Sequence, residues 1–173
     1  SSTAFWMIQS ILSPLGSPWI IQKAVELGVY RIVPMATRRS VVKLDKKKAE
    51  AKVRRFHAVC ESAAKQSGRM IVPEVSEVVS FSEACKVAGK LDMGLIPYEL
   101  ARGMGETKAV LQKVRPGMQV GIMIGPEGGF DVEEVEEARQ AGIIPVTLGR
   151  RILRTETAGM AALSILMFHL EEV

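Results

Sequence analysis

The sequence predicts an α/β protein, a mostly parallel sheet flanked by helices, and three observations lead there. Short apolar runs alternate with segments of helical period along the whole chain. Residues 91–97 and 118–124 are apolar without alternation, as strands buried on both faces of a parallel sheet are. Helical segments end on Gly28, Gly68, Gly89 and Gly142, the residue type that closes a helix most readily. With 173 residues the chain suits one domain, and 47% hydrophobic with 24% charged residues excludes disorder, collagen and coiled coil.

The elements follow in order. Residues 3–12 read as a strand and 13–18 as a loop, Ser-Pro-Leu-Gly-Ser-Pro. Ser17 can cap a helix whose first position is Pro18 and which runs to Leu27. Residues 30–34 make a short buried strand. Residues 46–67 form the longest helix: Ala49, Val53, Phe56, Cys60 and Ala63 make one apolar stripe, while Lys48, Lys52 and Arg55 align on another face. A helix over 80–88 and a strand over 91–97 follow, then a weaker helix over 108–114 and a strand over 118–124. Asp131 and Glu134 form a capping-box pattern that opens the next helix, and five acids between Asp131 and Glu137 suit its positive dipole end. Residues 143–148 are a strand. Thr155 caps a final helix over 156–170 that is apolar on nearly every side, one face for the core and another for a dimer partner.

Charge is uneven. The net value is +4, yet residues 38–69 hold eleven Lys/Arg against three Asp/Glu, leaving twelve against sixteen elsewhere. A basic segment in a mildly acidic protein points to a polyanion such as nucleic acid, with Arg38, Arg39, Lys48, Lys52, Arg55 and Arg69 as contacts; the alternative is a solvated helix face. Cys60 and Cys85 share no motif, and Cys60 lies on the apolar stripe, so neither a disulfide nor a thiol nucleophile is expected. His57 and His169 each stand alone, which argues against a metal. The longest apolar stretch, residues 158–168, is too short to span a bilayer, and no secretory signal opens the chain, so a cytoplasmic protein is expected. The missing initiator Met suggests a fragment or a processed chain.

Two glycine-bearing loops each follow an apolar strand, where open α/β sheets bind ligands. One is Ile124-Gly125-Pro126-Glu127-Gly128-Gly129-Phe130; the other is Leu148-Gly149-Arg150-Arg151-Ile152-Leu153-Arg154-Thr155-Glu156-Thr157. Neither GxxxxGK[ST] nor GxGxxG occurs, which removes the main support for ATP, GTP or dinucleotide binding. A single such turn would serve equally well as structure; the pair is more telling.

Together with Ile21-Gln-Lys-Ala-Val-Glu-Leu-Gly28 and Glu61-Ser-Ala-Ala-Lys-Gln-Ser-Gly-Arg69, these loops closely resemble the RsmE family of ribosomal RNA methyltransferases, of the SPOUT superfamily. The resemblance runs from about residue 3 to the end. It implies a single catalytic domain over 1–173 with a C-terminal trefoil knot, although chains are unknotted as a rule. It also implies S-adenosylmethionine as cofactor, methylation of N3 of a uridine in small-subunit ribosomal RNA, and a homodimer. The cofactor would be gripped by Leu95, Ile96, Pro97 and Tyr98, by Ile124, Gly125, Pro126, Glu127, Gly128 and Gly129, and by Leu148, Gly149, Ile152, Leu153 and Arg154.

Uridine N3 carries a proton and is a poor nucleophile until it is lost or the anion is stabilised. Arg154, at the exit of the second loop, is the preferred catalytic residue because a guanidinium can donate to a carbonyl in two places. Glu127 is a candidate base or a structural partner, and Arg151 a contact to RNA or to an acid across the dimer. Two departures from the family stand out. Its full-length members carry an N-terminal RNA-binding barrel absent from these residues, and Ser13-Pro-Leu-Gly-Ser-Pro18 replaces a loop usually containing Lys, Gly and Asp. The alternatives are a related methyltransferase acting on tRNA or a ribose hydroxyl, and a cofactor-free RNA-binding or ribosome-assembly module.

Overall fold

The computed structural model describes residues 3–11, 17–37, 45–98, 104–126, 129–148 and 155–170. Seven strands form one sheet: β1 (Ala4–Ser10), β2 (Arg31–Ala36), β3 (Glu74–Val75), β4 (Val79–Ser80), β5 (Met93–Pro97), β6 (Gln119–Ile124) and β7 (Ile144–Val146). The spatial order is β3-β2-β1-β6-β5-β7, with β4 also pairing to β2. Every described pairing is parallel, from Trp6↔Arg31 between β1 and β2 to Pro97↔Val146 at the opposite edge. The first strand therefore lies in the middle, beside a strand formed more than a hundred residues later (Ala4↔Gln119).

Among the described residues six helices cover the sheet: α1 (Ser17–Glu26), α2 (Lys46–Gln66), α3 (Phe81–Gly89), α4 (Met104–Leu111), α5 (Val132–Gln140) and α6 (Thr155–Leu170). Alternation along each strand sorts the core into two layers. Phe5, Met7, Ile32, Leu95, Val120 and Ile122 face α1, α2 and α6, whose Ile20, Val25, Phe56, Cys60, Leu163 and Leu166 fill that side. Ile8, Val33, Ile96 and Met123 face α3 and α5 through Phe81, Ala84, Ala88, Val135 and Ala138.

Of the expected caps, Asp131 caps α5 and with Glu134 closes a full capping box (2.7 and 3.0 Å), while Ser17 and Thr155 are the first residues of α1 and α6. Asp45 and Ser80 cap α2 and α3. Two differences stand out. Helix α4 begins at Met104, a full turn before the expected 108, and β3 and β4 are additional two-residue strands. Among the described residues no helix is long and apolar enough to cross a membrane.

Candidate functional site

Strands β6, β5 and β7 are neighbours and run in the same direction, so their carboxyl ends gather three loops along one rim. The first expected loop begins with Leu95 and Ile96, both buried, and with half-buried Pro97 and Tyr98. The Tyr98 amide donates to the Val146 carbonyl (2.9 Å), which ties this loop to the end of β7.

The second loop leaves β6 through buried Ile124, half-buried Gly125 and buried Pro126. A Cβ on Gly125 would sit 3.0–3.3 Å from the Phe130 ring, tighter than ordinary contact, so any side chain here must push the ring back by a few tenths of an ångström. Phe130 is in turn braced by Phe81, ring centroids 5.7 Å apart. The Gly129 amide donates to the Pro126 carbonyl (2.8 Å), and Gly129 holds φ +73°, a left-handed conformation that favours glycine.

The third loop begins at buried Thr147 and half-buried Leu148. The Thr147 amide donates to the hydroxyl of buried Thr107 on α4 (3.0 Å), anchoring this loop to the helix that follows the first. Thr107 escaped the sequence reading because α4 starts earlier than its pattern suggests. A lone threonine inside a weak helix carries no signal.

The rim thus brings together Leu95, Ile96, Pro97, Tyr98, Ile124, Gly125, Pro126, Gly129 and Leu148. Glu127, Gly128, Gly149, Arg151, Ile152, Leu153 and Arg154 lie outside the described residues. Of the residues brought together, Pro97, Tyr98, Gly125, Gly129 and Leu148 are partly exposed along the rim, whereas Leu95, Ile96 and Ile124 are buried in the core.

Of the expected RNA contacts, Lys48 and Arg55 are exposed on α2 and Lys52 is partly buried, its ammonium lowered from the usual lysine range by burial and then by Arg55. Arg69 departs from that set. Its Nη1 donates to the carbonyls of Val25 (3.2 Å) and Val29 (2.8 Å), so the guanidinium closes the end of α1 rather than standing free for a phosphate. Arg38 and Arg39 lie outside the described residues. Burial pushes the Cys60 thiol up to about 11 and, with Glu137 and Glu134 adding to it, the Cys85 thiol up to about 12; both stay protonated at neutral pH. Among the described residues no group of His, Cys, Asp and Glu is arranged to hold a metal.

Three polar atoms at the carboxyl ends of β1 and β2 are buried without a hydrogen-bond partner among the described residues: Gln9 Oε1, Ser10 Oγ and Thr37 Oγ1. Sequence reasoning passed over all three: Gln9 and Ser10 fall inside the strand expected over 3–12 and Thr37 beyond the one expected over 30–34, with no motif around any of them.

A parallel sheet with loops at three adjacent carboxyl ends, two of them glycine-bearing, defines the class of α/β proteins that hold ligands beyond their strand ends. Comparison with known proteins narrows that class. A family model described as RNA methyltransferase domain matches residues 1–167, and the chain belongs to this family. It is 40% identical over 156 residues to ribosomal RNA small subunit methyltransferase E of Bacillus subtilis, covering 88% of this chain and 61% of that protein. The enzyme of the same name from Mesomycoplasma hyopneumoniae is 34% identical, covering 90% of this chain and 65% of its own length. The crystal structure of ribosomal RNA small subunit methyltransferase E from Neisseria gonorrhoeae, bound to S-adenosyl methionine, superimposes with a TM-score of 0.83 at 35% identity, over 97% of this chain and 67% of that one. The chain thus spans somewhat under two thirds of the length of these two curated relatives.

Proposed function

We propose that this chain is the catalytic part of an S-adenosylmethionine-dependent methyltransferase acting on N3 of a uridine in small-subunit ribosomal RNA. One observation carries the reading. The glycine-bearing rim at the ends of β5, β6 and β7 lies wholly within the stretch matched by the RNA methyltransferase family. The partly exposed residues along the rim, Pro97, Tyr98, Gly125, Gly129 and Leu148, are the ones within reach of the cofactor, and the close approach of Gly125 to Phe130 keeps the second loop tight. Gly128, Gly149, Ile152 and Leu153 complete the set by resemblance.

When bound, S-adenosylmethionine supplies a methyl group on a positively charged sulfur. The chain's own residues must then make N3 nucleophilic. Arg154 donates to a uracil carbonyl oxygen and stabilises the anion that forms as the N3 proton leaves. Glu127 either accepts that proton or fixes an arginine, and Arg151 contacts the RNA. Lys48, Lys52 and Arg55 hold phosphates along α2, and Arg38 and Arg39 are further phosphate contacts. Ribosomal RNA as substrate places the enzyme in the cytoplasm.

A homodimer through α6 is part of this reading, supported by Ile165 and Phe168, 40% and 75% exposed on the outer face of that helix. So is the knot: α6 packs against α1, β1 and β6, whereas β7, which precedes it, lies on the far side of β5.

The test is titration calorimetry with S-adenosylmethionine and its demethylated product, followed by transfer of labelled methyl to small-subunit RNA. Binding of both compounds with methyl appearing at uridine N3 is expected. Absence of cofactor binding refutes the assignment, and methylation of a ribose hydroxyl or of tRNA selects the related activity.

A further inference from the structure

Two consecutive residues at the end of β7 are held by the stretch of chain that leaves β5. The Val146 carbonyl accepts from the Tyr98 amide (2.9 Å), and the Thr147 amide donates to the Thr107 hydroxyl oxygen on α4 (3.0 Å). The first bond joins main chain to main chain and tolerates any side chain. The second exists only because residue 107 carries an acceptor. It lies in the interior, with Thr107 4% and Thr147 7% exposed. A buried amide that loses its acceptor is costly, so the position of Thr147 depends on that hydroxyl.

The burial pattern of α4 points the same way. Among its described side chains Thr107 is the only buried one: Glu106, Lys108 and Ala109 are exposed, and Val110 and Leu111 are half-buried. Threonine is also a weaker helix former than the alanine or leucine that packing alone would favour there. A helix that turns its β-branched polar residue inward and leaves its apolar ones half-covered is arranged around the hydrogen bond.

What the bond holds is the start of the third loop. Leu148 follows Thr147 directly, is partly exposed on the rim, and leads in sequence to Arg154. Were Thr147 free to turn its amide to water, Leu148 would leave the rim with it. Cofactor binding would then have to draw the loop back and strip water from the amide, and affinity would fall in proportion to the molecules whose loop is out of place. With the hydroxyl present, the loop is in place before the cofactor arrives.

We propose that Thr107 is a positioning residue for the methyl donor: its hydroxyl holds the Thr147 amide and so fixes the third loop in the conformation that binds S-adenosylmethionine. The proposal rests on the methyltransferase reading above.

Thr107→Val keeps the shape of the side chain and removes the acceptor, whereas Thr107→Ser keeps the acceptor and removes a buried methyl. The experiment is titration calorimetry with S-adenosylmethionine on wild type and both variants, with Tm and hydrogen exchange at the Thr147 amide measured on the same samples. Thr107→Val is expected to raise the Kd about tenfold, the scale of one hydrogen bond lost in the interior, and to speed exchange at Thr147. Thr107→Ser should bind as the wild type does and keep Thr147 protected, although its Tm falls by roughly 2–4 °C. Affinity then follows the hydroxyl rather than the stability. Methyl transfer to small-subunit RNA at saturating S-adenosylmethionine should stay close to wild type in Thr107→Val, because excess cofactor repopulates the binding conformation. Should Thr107→Val fail to fold, the same tenfold gap is expected between Thr107→Ala and Thr107→Ser, which differ in the hydroxyl alone. A wild-type Kd in the variant lacking the hydroxyl, an equal loss in Thr107→Ser, or a saturated rate that falls with Kd unchanged overturns the proposal. Absence of S-adenosylmethionine binding in the wild type defeats the methyltransferase reading and this role with it, whereas binding that Thr107→Val leaves intact defeats this role alone.

Discussion

Gly125→Ala tests the rim with the smallest change available. The added methyl would stand 3.0, 3.1 and 3.3 Å from three atoms of the Phe130 ring, so the ring must retreat by a few tenths of an ångström. It has little room, since Phe130 is 7% exposed and packs on Phe81, itself 6% exposed. Overpacking of this kind costs about 1–3 kcal/mol. The entropy lost by the unfolded chain when alanine replaces glycine offsets about 0.4–1 kcal/mol of it. A net loss of about 1–2 kcal/mol lowers Tm by roughly 2–8 °C in a domain of this size. Because the ring closes the loop running from Gly125 to Gly129, its displacement should also raise the Kd for S-adenosylmethionine about tenfold, equivalent to about 1.4 kcal/mol. Differential scanning calorimetry and titration calorimetry read the two effects separately. In a Phe130→Leu background the same substitution should cost less, since the crowded ring is gone. Wild-type Tm and Kd in Gly125→Ala would refute the close-approach argument.

Reversing Lys48, Lys52 and Arg55 to Glu should weaken RNA binding and flatten its salt dependence without changing S-adenosylmethionine affinity; an unchanged slope of log Kd against log salt would mark a merely solvated face. Arg154→Lys keeps the charge and loses the planar fork, so single-turnover methylation should fall about 10²–10³-fold, and near-normal turnover would make Arg154 structural. Asp131→Ala removes the side-chain half of the capping box on α5 and should destabilise by about 0.5–2 kcal/mol in thermal denaturation, whereas an unchanged Tm would show that the cap contributes nothing.

Much of the fold was legible because its signals are local. Asp131 and Glu134 announce α5 by a spacing that only a helix start uses, and the apolar stripe from Ala49 to Ala63 describes α2 before any partner is known. Strands β3 and β4 were not legible: two residues are too few for a period, and Glu74–Val75 pairs only because β2 offers an edge. Helix α4 was misplaced because Gly103 and Gly105 mask its first turn. At the site, the loops announce themselves through glycines, but the contacts that set them are tertiary. Thr107 reaches Thr147 across the rim and Arg69 reaches back to Val25 and Val29, pairings with no local trace. Strand order was equally hidden, since nothing near Ala4 says that its neighbour is Gln119.

That central pairing constrains how the molecule is made. Until synthesis has passed Ile124, β1 has β2 on one side and a bare row of amides and carbonyls on the other, with Phe5 and Met7 lacking part of their cover. An unpaired strand edge of this kind is a template for other chains. Closing so long a loop before the contacts repay it also slows folding. Nascent or truncated forms ending before β6 should therefore depend on chaperones, and release of β6 should be the moment at which the half-built sheet becomes safe from association.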